Sequence, residues 1–125
     1  MLPFQEALKS GEFVVTAEFA PPKGADLSVL RQRVAMVRGH VHAVNLTDCQ
    51  LAVMRMSSWA AALEVLRGGV EPICQLTCRD RNRIALQADL LGLWAHGIKT
   101  ILALTGDGVV FGDHKDAKGV FEMNS

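Results

Sequence analysis

Residues Val70–Asp107 read VEPICQLTCRDRNRIALQADLLGLWAHGIKTILALTGD, and this stretch decides the fold. It opens on a nearly continuous apolar run, Val70–Thr77, that breaks into the polar cluster Arg79-Asp80-Arg81-Asn82-Arg83. A helical pattern follows, with Ile84, Ala88, Leu91 and Ala95 at helical spacing and Gly97 just after it. A second apolar run, Ile98–Thr105, then ends on Gly106-Asp107. Short runs rich in Val, Ile and Leu are what strands covered on both faces look like, and parallel strands are covered on both faces. The stretch therefore reads strand–helix–strand with a parallel crossover.

The same unit recurs upstream. Phe13–Phe19 and Val41–Thr47 are two further apolar runs. Between them Asp26 is placed to cap a helix carrying Leu27, Leu30, Val34 and Val37, closed by Gly39. Ser57 or Ser58 is placed to cap another, with Trp59, Ala62, Leu63 and Leu66 turned inward and Gly68-Gly69 at its end. Asp80 is the expected cap of the helix after the third strand. A short helix from Pro3 to Ser10 precedes the first strand. The expected order is α-β-α-β-α-β-α-β in a single α/β domain, residues 1–125, built of parallel (β/α) units with right-handed connections. Doubly wound sheets and (β/α)₈ barrels both satisfy it.

Composition narrows the class of function. The chain has 125 residues, half of them hydrophobic, with 13 basic and 13 acidic side chains. That suffices for a compact core and argues against disorder. Zero net charge gives no long-range field to gather phosphates, so no nucleic-acid partner is expected. No apolar run approaches the roughly 20 residues needed to span a bilayer, so no membrane partner is expected. The start, Met1-Leu2-Pro3-Phe4-Gln5-Glu6, lacks the basic and apolar regions of a signal peptide. Three cysteines without CxxC spacing fit small buried side chains in a reducing compartment. A cytoplasmic protein is the expectation.

The polar residues fall at the carboxyl ends of the strands: Glu18, Thr47-Asp48, Thr77 with Arg79 and Asp80, and Thr105-Gly106-Asp107. In parallel α/β folds that rim carries the site. Glu18, lodged among Val14, Val15, Phe19 and Pro21-Pro22, is expected to be poorly solvated and suited to general-acid work. Asp107 is expected to place a fixed negative charge at the mouth of the fourth strand. Arginines at a helix start oppose the dipole, so Arg79, Arg81 and Arg83 either meet an anionic ligand or pair with nearby acids. Gly106–Gly112 does not match GxGxxG, because Phe111 stands where glycine is needed. His40 and His42 lie at the amino end of the second strand, away from the rim, so no metal site is expected.

Four motifs then stand together: Glu18-Phe19-Ala20-Pro21-Pro22-Lys23-Gly24, Val44-Asn45-Leu46-Thr47-Asp48, Gln75-Leu76-Thr77-Cys78-Arg79-Asp80-Arg81-Asn82 and Leu102-Ala103-Leu104-Thr105-Gly106-Asp107. In this order and at strand ends, they resemble the methylenetetrahydrofolate reductase family over essentially the whole chain. The resemblance implies a flavin-binding TIM (β/α)8 barrel that reduces 5,10-methylenetetrahydrofolate, the folate substrate, to 5-methyltetrahydrofolate. A reduced nicotinamide is the electron donor, and FAD or FMN is the carrier. By resemblance Glu18 is the catalytic acid. Asp107 is the acid near flavin and folate that tunes the charge of both. Thr47, Gln75, Thr77, Thr105 and Gly106 join Asp107 in contacting the cofactor. Gln75 stands where some members carry His.

Length departs from the pattern. A full barrel takes about 250 residues, and four strands make half of one. Val120–Ser125 resemble the lead-in to a further helix, with Ser125 at its cap. The expectation is therefore an amino-terminal half-barrel that works as a homo-oligomer or with a complementing second half-barrel. An alternative is a non-catalytic half-barrel that assembles with itself or a partner subunit. Another barrel enzyme handling pterins or one-carbon units would keep the fold and change the chemistry.

Overall fold

The computed structural model describes all residues, 1–125. Its elements are α1 (Phe4–Ser10), β1 (Thr16–Phe19), α2 (Ser28–Val37), β2 (Ala43–Leu46), α3 (Ser58–Arg67), β3 (Pro72–Thr77), α4 (Arg83–Ala95) and β4 (Thr100–Leu104), with short 3-10 turns at Gln50–Ala52 and Val109–Phe111. The order matches the sequence expectation. Each strand is shorter than its apolar run; at β1, Phe13 is 90% exposed and lies outside the sheet.

The sheet has the order β1-β2-β3-β4, and every neighbouring pair is parallel. Chain order and spatial order coincide, so there is no switch point of the kind that defines a doubly wound sheet. This is an α/β fold in which four parallel strands, joined by three crossover helices, form half of a TIM (β/α)8 barrel wall. β1 and β4 each keep one unpaired edge.

Alternation sorts the strand residues onto two faces. Val44, Leu46, Cys74 and Leu76 pack with Leu30 and Val34 of α2, Ala61, Ala62 and Val65 of α3, and Leu93 of α4. The opposite face is free of α2–α4. At its amino end, Phe4 of α1 packs with Ala43 and Ile73 and seals the floor. At its carboxyl end stand Asn45, Thr47, Gln75 and Thr77, which is where the site lies.

Three local expectations are corrected. Asp80 does not cap α4; the Asn82 Oδ1 accepts the Ala85 N–H at 3.0 Å, while Asp80 forks onto Arg79. Trp59 is 42% exposed rather than inward, because α3 turns its smaller residues Ser58, Ala61, Ala62 and Val65 to the sheet. On α4, Ile84, Ala88, Leu91 and Ala95 face solvent. The inward side is set by Leu93 and by Asp89, which is drawn toward Arg81 (Nε–Oδ2 2.9 Å). Asp26 stands one residue ahead of the α2 cap position, Leu27, which has no side-chain cap bond, and accepts the Ser28 N–H at 2.9 Å. No helix is long and apolar enough to cross a membrane.

Candidate functional site

The carboxyl ends of β2, β3 and β4 enclose a pocket of about 240 Å³. Gln75, Thr77, Thr105, Gly106 and Asp107, all expected site residues, line it, together with Asp48, Gln50, Arg79 and Leu104. Two expected residues reach it through a neighbour. Glu18, on β1, accepts a hydrogen bond from Gln75 Nε2 to its Oε2 at 3.0 Å. The Thr47 hydroxyl donates to Gln50 Oε1 at 2.7 Å.

The setting of Glu18 differs from the expectation. Its side chain is exposed on the helix-free face, not buried among apolar neighbours. The alternation of β1 explains this: Ala17 and Phe19 turn toward the core cluster, and Glu18 turns the other way. Its placement comes from Gln75 rather than from a greasy pocket. Gln75 is itself fixed from behind, because the buried Ser58 hydroxyl donates to its carbonyl at 2.6 Å.

The pocket wall rests on a buried ion pair. The Asp48 carboxylate accepts the Thr77 N–H at 2.8 Å and the Arg81 guanidinium at 2.6 Å. Arg81 also donates to the Thr77 carbonyl at 3.2 Å and to Asp89 at 2.9 Å. Burial alone pulls the Arg81 guanidinium down, but Asp48 and Asp89 outweigh it and hold the group above its ordinary value. Of the two roles open to the arginines, pairing is what they adopt. Arg79 is forked onto Asp80 at 2.8 and 2.9 Å, and Arg83 meets Glu122 at 3.2 Å. Arg79 still lines the pocket, with its Nη1 3.4 Å from the Asp107 carbonyl oxygen.

Above the pocket the loop after β2 is strained. Cys49, Leu51 and Ala52 all adopt positive φ, 46°, 56° and 55°. Such residues hold only where surroundings over-determine them, and they cluster at ligand clamps. Here the Asp107 carboxylate accepts the Leu51 N–H at 2.8 Å, and Asp113 accepts the Met54 N–H at 3.0 Å. The Met54 N–H is also the main cause that holds the Asp113 carboxyl below its usual range. Two acids from the β4 loop thus staple the β2 loop across the mouth.

One feature fits a bound cofactor. The Thr77 hydroxyl is buried, lines the pocket and has no hydrogen-bond partner within the chain; a buried polar group of this kind asks for one. Gly106 has φ +94°, and a Cβ there would stand 3.0 Å from Thr77 Cβ and 3.1 Å from Arg79 Cβ. The β4 end therefore packs directly against Thr77 and Arg79, which leaves no room for a side chain at this pocket-lining position. All three cysteines are free, and burial pushes the Cys74 thiol up to about 11. The sequence singled out neither Gln50 nor the clamping role of Asp48. Their only signal was proximity to Thr47.

A family model described as "Methylenetetrahydrofolate reductase" matches residues 3–124. No curated protein matches the chain.

Proposed function

Because the chain belongs to the methylenetetrahydrofolate reductase family, an oxidoreductase family, we propose that it carries the flavin side of an active site that reduces 5,10-methylenetetrahydrofolate to 5-methyltetrahydrofolate. One observation carries this reading: Gln75 lines the same pocket as Asp107 and donates to Glu18. This bridge supports assigning to a single site the two acids that such chemistry needs.

FAD or FMN, when bound, supplies the carrier that takes a hydride from reduced nicotinamide and passes it to the folate carbon. Everything else falls to the residues of this chain. Thr77 offers its unpartnered hydroxyl to the cofactor, and Thr105 and Gly106 offer the adjoining wall. Thr47 acts by fixing Gln50. Gln75 bridges the pocket to Glu18. The Glu18 carboxyl holds the proton that a folate nitrogen receives as the five-membered ring opens, which leaves an iminium cation on the substrate. Asp107 contributes a fixed negative charge that favours this cation and disfavours negative charge accumulating beside it. Free thiols support a reducing, cytoplasmic setting.

A second reading, a non-catalytic half-barrel that only assembles, draws on β4, where Ile101 and Leu102 are exposed beside an unpaired edge. One experiment separates the two. The chain, alone or with the second half, is loaded with flavin, reduced anaerobically and mixed with methylenetetrahydrofolate while flavin absorbance is followed. Reoxidation is expected, and Glu18→Gln is expected to slow it roughly 10²–10⁴-fold while flavin stays bound. Full turnover by Glu18→Gln removes the acid role, and failure to hold flavin leaves the assembly reading.

A further inference from the structure

Thr47 and Gln50 divide the end of β2 between them. Thr47 is buried, with 6% of its surface exposed, and is not among the residues that line the pocket. Its hydroxyl hydrogen is spent on Gln50 Oε1, 2.7 Å away. Gln50 is half-buried and does line the pocket. An amide carries its two donors on nitrogen and its acceptor on oxygen. With the oxygen turned to Thr47, the nitrogen is turned the other way, and no group of the chain accepts either of its N–H bonds.

The backbone supports the same placement. Gln50 stands between two residues of positive φ, Cys49 at 46° and Leu51 at 56°. The Leu51 N–H is held in turn by the Asp107 carboxylate at 2.8 Å. Conformations of this kind persist only where the surroundings impose them. The pocket also leaves its donors free. The Asp48 oxygens are occupied by the Thr77 amide and the Arg81 guanidinium, whereas Gln50 Nε2 and the buried Thr77 hydroxyl are unspent. Two such donors suit a ligand edge that presents acceptors, as the ring carbonyl oxygens and unprotonated ring nitrogens of an isoalloxazine do.

Building on the flavin reading, we propose that Gln50 donates a hydrogen bond through Nε2 to the isoalloxazine ring, and that Thr47 is a positioning residue that acts through Gln50. The resemblance implies direct contact by Thr47; its bond to Gln50 argues for contact at one remove.

Fluorescence titration of the full chain with FMN tests this, with melting temperature as the separate measure of stability. Gln50→Leu is expected to raise the FMN dissociation constant roughly 5–10-fold, for one lost hydrogen bond. Gln50→Glu keeps an oxygen for Thr47 but turns a second oxygen to the pocket in place of the N–H donors, and is expected to weaken binding at least as much. Thr47→Val removes the hydroxyl alone. It is expected to weaken binding roughly 2–5-fold and to add nothing in the Gln50→Leu background, because a residue that acts through another has no effect once that other is gone. Thr47→Ser keeps the hydroxyl and is expected to bind as the wild type does. The Gln50 variants decide the donor role whether or not Thr47→Val folds. Wild-type affinity in either Gln50 variant overturns that role and leaves the flavin reading standing. Losses from Thr47→Val and Gln50→Leu that multiply in the double variant overturn the positioning role. A wild-type chain that takes up no FMN overturns the flavin reading and this assignment with it.

Discussion

Replacing Gly106 by alanine tests the pocket's architecture at its tightest point. The backbone there has φ +94°, a region that residues with a Cβ rarely adopt. Strain of this kind costs about 1–3 kcal/mol. The new methyl would also lie 3.0 Å from Thr77 Cβ, 3.2 Å from Thr77 Cγ2 and 3.1 Å from Arg79 Cβ. Neither Cβ can swing clear, since each is fixed by its own backbone, which at Thr77 is held by the amide's bond to Asp48. Overpacking in such a place costs about 1–3 kcal/mol more. Alanine recovers about 0.4–1 kcal/mol by restricting the unfolded chain. The net loss is about 2–4 kcal/mol, which for a domain of this size lowers the melting temperature by roughly 10 °C. Calorimetry on Gly106→Ala reads it, with Gly24→Ala as the matched control, because Gly24 has open space around it. The same change at Gly24 is expected to stay within about 0.5 kcal/mol. Equal melting temperatures for the two variants would refute the argument that Gly106 is required by close approach.

Three further outcomes follow from the same geometry. Thr77→Val is expected to leave stability unchanged or slightly raised, since the lost hydroxyl has no partner in the chain, while flavin affinity falls roughly 5–10-fold for one lost hydrogen bond; a fluorescence titration showing unchanged affinity would mean the hydroxyl does not face the ligand. Arg81→Met strands the buried Asp48 carboxylate and is expected to cost about 3–5 kcal/mol in urea unfolding, part of which Asp48→Asn restores in the double variant; a loss below about 1 kcal/mol would show that the pair does not support the wall. Glu64 is held below the usual carboxylate range by its hydrogen bond to Arg31 and then by Arg67. A carboxyl lowered in the folded state contributes stability at neutral pH that is lost as pH falls through the ordinary carboxylate range toward the lower folded value. Melting temperature against pH should therefore decline on the acid side in the wild type and decline less in Glu64→Gln, and parallel curves would contradict the pairing.

The fold was legible because each unit pairs a Val/Ile/Leu-rich run with a helical pattern, and because all four runs finish polar. Five of the expected site residues, Gln75, Thr77, Thr105, Gly106 and Asp107, come from the ends of β3 and β4 and meet in one pocket for that reason. The misreadings have physical causes as well. On α4 apolar residues occupy every side, so helical periodicity could not say which stripe was inward; the Asp89–Arg81 attraction decides it. Near its start Asp80, Asn82 and three arginines compete, and the cap goes to the residue left over once Asp80 has paired with Arg79. Glu18 looked buried because its sequence neighbours are apolar, yet strand alternation separates it from them. The part played by Gln50 depends on a left-handed turn at Cys49 and Leu51, which no local residue preference announces.

The staple from Asp107 to the Leu51 amide changes how substitutions at that acid must be interpreted. Asparagine preserves an oxygen able to accept from the amide and removes only the formal charge. Alanine removes both and releases a turn that three left-handed residues already hold in tension. Kinetics on alanine alone would therefore blend two losses, catalytic and mechanical, into one figure. Comparing the two replacements separates the electrostatic contribution of this aspartate from its work as a fastener.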